Sequence, residues 1–168
     1  GSKGVKNKNI KKINGKPLIS YTINEAKKSK YINDYIVSTD SKEIVKIAQK
    51  YGANVPFLRP KKISSDNTKM NQVIFNTLQN LKESYRYIIL LQPTSPLRSK
   101  SLFTSSLKIL NTQKKFDSLI HVAKNKTFTG TIENHIWKPS YKKNIRSQDI
   151  KHSYVSTGNL FIYRSKLF

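Results

Sequence analysis

The run Tyr87-Ile88-Ile89-Leu90-Leu91 constrains this chain more than any other stretch. It is apolar on both faces, so as a strand it needs cover on both sides, as in a parallel sheet wrapped by helices. Strand-like and helix-like stretches alternate around it, which predicts an α/β class. Pro17 follows the turn-forming Asn14-Gly15 and can open a helix at its first position. Leu18, Ile19, Ile23 and Ala26 then recur at helical spacing. Residues 35–39 read as a buried strand. Ser41 can cap a second helix carrying Ile44, Val45, Ile47 and Ala48, with Gly52 as its stop. Residues 55–58 form a short strand whose Pro56 suits an edge. Val73, Ile74, Leu78 and Leu81 predict a helix over 70–83, residues 100–111 another, and residues 118–122 a strand. Residues 124–152 are irregular, basic and polar, with room for a hairpin or an inserted loop, and residues 158–163 form a last strand. Both ends are abrupt: no strand precedes the basic start and no helix follows the end.

The loop QPTSPLR leaves the carboxyl end of the clearest strand, where open α/β sheets bind ligands. Gln92, Thr94 and Ser95 place hydrogen-bonding side chains among prolines that stiffen the turn. The plainer alternative is an ordinary Pro-Ser turn. The basic start, GSKGVKNKNI, has glycines that permit close backbone approach, and Ser2, Lys3, Lys8 and Asn9 as donors. Such a loop can cradle a triphosphate. It lacks the Walker spacing, and composition alone favours a solvated basic arm.

The formal charge is +23, from 32 Lys and Arg against 9 acids. That excess calls for an anionic partner: nucleic acid, an anionic membrane, or a phosphorylated or carboxylated substrate. Nucleic acid is the rival reading from another class. The lysines are spread along the chain, however, and no nucleic-acid motif appears. The absence of cysteine excludes a disulfide framework and a thiolate zinc site. No apolar run approaches a membrane span and no signal peptide is visible, so a cytoplasmic location is expected. Asp66 is expected to cap the helix after it, and Asp40 to end its strand. Arg146 could hold a carboxylate bidentately, or simply sit in a solvated basic loop. The histidines have no metal-ligand spacing.

Taken together and in order, GSKGVKNKNI, NGKPLISYTINEA, YIVSTDS, YGANVPFLRP with SSDNT, LLQPTSPLR, and FDSLIHV with RSQD resemble the N-acylneuraminate cytidylyltransferase (CMP-sialic acid synthetase) family. The resemblance spans nearly the whole chain, and LLQPTSPLR is its most specific string. It implies a Rossmann-like, GT-A-like three-layer α/β sandwich with a mixed, mostly parallel sheet. It implies one partial domain over residues 1–168, lacking the family's first strand and C-terminal part. The implied reaction joins CTP to an acidic nine-carbon 2-keto sugar and releases pyrophosphate. Magnesium is the implied cofactor, with ligands outside these residues, and the implied full-length state is a homodimer.

The resemblance assigns Lys3 and Lys8 to catalysis. It assigns Ser2, Gly4, Asn9, Arg59, Asp66 and Thr68 to the nucleotide, and Gln92, Thr94, Ser95, Arg146 and Gln148 to the sugar. The family's signature arginine and its Asp-x-Asp are absent from the chain. Val155 and Thr157 stand where members often carry an arginine and an asparagine. These departures point away from N-acetylneuraminate and toward a related acceptor such as pseudaminate or legionaminate. The eight-carbon acid Kdo is a further alternative, although that family's loop carries an acid where this one does not.

Overall fold

The computed structural model describes residues 5–99, 101–141, 145–149 and 153–168. The chain divides into two compact units. Gly1–Ile120 with Gly158–Phe168 form the first and His121–Thr157 the second.

In the first unit, β1 (Lys12–Ile13) and β2 (Lys16–Pro17) pair antiparallel. The turn between them is made by Asn14 and Gly15, both at positive φ (48° and 76°), the conformation of a two-residue hairpin. Helix α1 (Leu18–Lys28) follows directly, with Pro17 as its N-cap residue. Helix α2 (Lys42–Lys50) is capped as expected: the Ile44 amide donates to Ser41 Oγ at 3.3 Å. Gly52, at φ 88°, ends it. Ile19 and Ile23 of α1 bury against Ala48 and Ala53, with Tyr35, Val37 and Val55 packed around them.

Residues 35–39 and 55–58, each expected as a strand, do not form regular strands. They meet only through isolated parallel bridges, Ile36 with Asn54 and Thr39 with Leu58. Pro56 interrupts the donor row between those bridges. Helix α3 (Met70–Gln79) is shorter than the predicted 70–83. Asn80 Nδ2 donates to the Asn76 carbonyl at 2.8 Å and closes the helix before Leu81. Asp66 is not its cap: the backbone is still extended at the N-cap residue Lys69 (ψ 139°), three residues on.

Strand β3 (Tyr87–Leu90) is the predicted apolar run. Helix α4 (Leu102–Thr112) and β4 (Ser118–Asn125) follow, then β5 (Gly130–Glu133), β6 (Ile136–Pro139) and β7 (Ser153–Arg164). The sheet order is β3-β7-β4, with β7 in the middle. The β3–β7 pair is antiparallel, Ile89 opposite Ile162, so the apolar run has an antiparallel neighbour, as a mixed sheet allows. Tyr87, Ile89 and Leu91 pack against the core, and an apolar face does not fix strand direction. Leu160 and Ile162 of β7 are 0% exposed and pack on Leu102, Phe103, Leu107 and Leu110 of α4. Each such side chain contributes about 1.5–3 kcal/mol by leaving water. This packing holds β3, and the loop leaving it, in place.

The second unit contains the hairpin expected in 124–152: β5 and β6 pair antiparallel with Ile132 opposite Trp137. Asn134 and His135 turn it, both at positive φ. His121 Nδ1 lies 2.6 Å from Thr157 Oγ1 in the same unit.

Candidate active site

The QPTSPLR loop begins two residues past β3 and is held from three sides by Arg98. Its Nε donates to the Asn159 carbonyl at 2.8 Å, and one terminal nitrogen to the Gln92 carbonyl at 2.7 Å. The other donates to Thr22 Oγ1, on the buried side of α1, at 3.0 Å. Burial pushes the Arg98 guanidinium below its usual pKa, and Glu25, one turn further along α1, opposes that shift. An arginine stays charged in either case. Within the loop the Ser95 amide donates to the Gln92 carbonyl at 3.1 Å, closing a turn. Gln92 and Ser95 are half-buried and Thr94 is exposed. The structure brings Gln92 and Ser95 together at Gly158: a Cβ there would lie 2.6 Å from Gln92 Oε1 and 3.5 Å from Ser95 Oγ.

At the basic start, Ser2, Lys3 and Gly4 lie outside the described residues. Lys8 and Asn9 stand in a 3-10 turn, Lys8–Ile10, entered through Asn7 at φ 56°. The Lys8 amide donates to the Val5 carbonyl at 3.2 Å, and the Ile10 amide to the Asn7 carbonyl at 3.0 Å. The turn rests on α1 and α2. This segment is therefore an ordered turn from Val5 onward, not a solvated arm. Asn9 Oδ1 is buried and finds no hydrogen-bond partner among the described residues. A buried acceptor without a donor is uncommon, and a ligand N–H or O–H would satisfy it.

Arg59 is tied down by its backbone, whose amide donates to the Thr39 carbonyl at 2.8 Å. Its Nε donates to Ser64 Oγ at 3.1 Å, and a terminal nitrogen lies 3.8 Å from Asp40 Oδ1. Asp40 thus partners Arg59 beyond ending a strand. Asp66 is exposed in the following loop. The Thr68 amide donates to the Ser65 carbonyl at 3.2 Å, and the two hydroxyls lie 3.0 Å apart. Arg146 and Gln148 belong to the second unit and are exposed; the Asp149 amide donates to the Arg146 carbonyl at 2.9 Å beside them.

Sequence reasoning gave no role to Arg98, Thr22 or Gly158. An arginine ending a proline-rich loop after a buried strand, and a glycine inside a strand pattern, were the available signals. Two hollows of about 210 and 260 Å³ lie at the other end of β3, lined by Arg86, Arg164 and Lys166. Arg164 is occupied there, donating to the Phe116 and Leu110 carbonyls and to the Tyr87 hydroxyl. Among the described residues no three acidic, histidine or cysteine side chains gather to hold a metal ion. No helix among them is long and apolar enough to cross a membrane.

The family model described as "Cytidylyltransferase" matches residues 1–167. A pseudaminic acid cytidylyltransferase of Campylobacter jejuni is 32% identical over 176 residues, covering 99% of this chain and 75% of that protein. An N-acylneuraminate cytidylyltransferase of Escherichia coli is 35% identical over 125 residues, covering 74% of this chain and 29% of that protein. The solved CMP:2-keto-3-deoxy-manno-octonic acid synthetase complexed with CTP superposes with a TM-score of 0.74 at 14% identity, over 99% of this chain and 71% of that one. At that identity the likeness speaks for the fold alone: the Rossmann-like α/β arrangement expected from the sequence.

Proposed function

The chain belongs to the cytidylyltransferase family, of the CMP-sialic acid synthetase type, and from that premise we propose that it transfers CMP from CTP to an acidic nine-carbon 2-keto sugar. The observation that carries this reading is the rigid QPTSPLR loop, with Gln92 and Ser95 gathered at Gly158 beyond the end of β3. Pseudaminate is the acceptor we favour. The relative bearing that sugar's name aligns with 99% of this chain, and Val155 and Thr157 depart from the usual arginine and asparagine.

In the proposed reaction the anomeric hydroxyl attacks the α-phosphorus in line. The new sugar O–P bond forms, the α–β bridging P–O bond breaks, pyrophosphate leaves, and the hydroxyl proton passes to solvent. Two anions must approach, so the ammonium groups of Lys3 and Lys8 offset repulsion and stabilise the charge growing on pyrophosphate. Asn9 Oδ1 accepts from the nucleoside, while Arg59, Asp66 and Thr68, with Ser2 and Gly4, complete the CTP side. Gln92, Thr94 and Ser95 orient the sugar, and Arg146 with Gln148 takes its carboxylate. Much of the rate comes from positioning.

Magnesium is the cation we propose to accompany CTP. The described residues do not gather a ligand set for it, so no step here runs through it. We place the protein in the cytoplasm, with CTP. We propose a homodimer, supported by the exposed apolar Ile132, Ile136 and Trp137 of the β5–β6 hairpin.

The test is pyrophosphate release by the full-length protein with CTP and pseudaminate, legionaminate, N-acetylneuraminate or Kdo in turn. Turnover with a nonulosonate is expected, fastest with pseudaminate. Turnover with none, or with Kdo alone, would overturn the reading.

A further inference from the structure

We propose that Arg98 is a positioning residue that sets how the QPTSPLR loop meets the acceptor sugar, with Gly158 as its structural complement. The inference rests on the reading of Gln92 and Ser95 as sugar-facing. Each of the three guanidinium nitrogens of Arg98 already donates, and each to a different element: α1 through Thr22, β7 through Asn159, and the loop itself through Gln92. The Gln92 carbonyl accepts from both Arg98 and the Ser95 amide, so clamp and turn converge on one oxygen.

The next residue before Asn159 is Gly158, and the Gln92 side chain fills the space its Cβ would need. Arg98 therefore ties the Gln92 backbone to β7 beside Gly158, whose φ of +69° favours glycine and whose open Cβ position the Gln92 amide group occupies. A planar fork can hold three acceptors spread in one plane, whereas a lysine ammonium is a point charge on a flexible stem. Arg98 acts through Gln92 and does not itself reach for substrate.

Steady-state kinetics of the full-length protein, varying sugar and CTP separately, test this on Arg98→Lys, Arg98→Ala and Gln92→Ala. Arg98→Lys is expected to raise the sugar KM about tenfold or more and leave the CTP KM within about twofold, because a loop displaced by a fraction of an ångström misorients only the acceptor. Added guanidinium is expected to restore part of the Arg98→Ala activity.

A fall in kcat with the sugar KM unmoved would show a purely structural role and overturn the inference. If Arg98→Ala does not fold, Thr22→Val removes one acceptor nearly isosterically. It should raise the sugar KM about threefold, in line with one lost hydrogen bond, and no rise would count against the clamp. Gln92→Ala separates the two layers of argument. If it raises the sugar KM while Arg98→Lys does not, this inference alone fails. If it leaves the sugar KM unchanged, the sugar-facing reading fails and takes the inference with it.

Discussion

A methyl group on Gly158 would sit 2.6 Å from Oε1 of Gln92. The backbone at Gly158 also lies at φ +69°, a conformation that costs a side-chain-bearing residue about 1–2 kcal/mol. Gly158→Ala is therefore expected to lower stability by about that amount in urea denaturation. It should also raise the sugar KM, because Gln92 has to move. Wild-type stability together with wild-type kinetics would show that the loop relaxes freely.

Lys8→Ala tests the triphosphate turn. The turn is built from the backbone, the Lys8 amide bonding the Val5 carbonyl, so the variant should keep its fold. Removing the ammonium is expected to lower turnover about a hundredfold or more, as for loss of a group stabilising transition-state charge. Pyrophosphate release measures it, and an unchanged rate would remove Lys8 from catalysis.

Asn9 should show stability and function parting company. Its Oδ1 is buried without a partner among the described residues, so Asn9→Leu deletes an unsatisfied acceptor. Such a change is nearly neutral or stabilising, whereas the CTP KM is expected to rise. Thermal melts beside CTP titrations decide it; a stable variant with an unchanged CTP KM would contradict the assignment.

The core makes a paired prediction. Leu160 is 0% exposed between α4 and the sheet, and Leu97 is 85% exposed in the loop. Leu160→Ala should cost about 2–5 kcal/mol, and Leu97→Ala less than about 0.5 kcal/mol. Equal shifts in urea midpoint would show that the β7 packing is wrong.

Tyr85 offers a pH signature. Its hydroxyl donates to Asp34 Oδ2 at 2.7 Å, and that hydrogen bond, with smaller effects of burial and of the Asp34 and Glu83 charges, pushes its pKa up to about 12. The folded value is raised, so the stabilisation is fully present below the unfolded tyrosine value. It is lost as pH climbs toward 12. The pair is exposed, so screening keeps the energy small. Spectrophotometric titration should find a late-ionising tyrosine that shifts to lower pH in Asp34→Asn.

Much of this was legible in residue order. The apolar Tyr87–Leu90 strand, the Ser41 cap and Gly52 stop of α2, and the hairpin within 124–152 all follow from local chemistry. So did the family, because LLQPTSPLR and its companions occur in register along one chain. The end of α3 was misjudged because Leu81 continues the apolar period. A side-chain hydrogen bond from Asn80, which periodicity does not register, accompanies the helix's end at Gln79, four residues short of the predicted 83.

What the sequence by itself determined is therefore local: which stretches turn, coil or extend, and which loop leaves a buried strand. Only the tertiary structure decided that β7 runs antiparallel beside β3, since apolar faces specify cover and not direction. It also decided that Arg98 spans Thr22, Gln92 and Asn159, positions 76, 6 and 61 residues from it along the chain. An arginine reads as a surface charge until folding supplies three acceptors. Burial then makes those hydrogen bonds costly to lose and fixes the loop they hold.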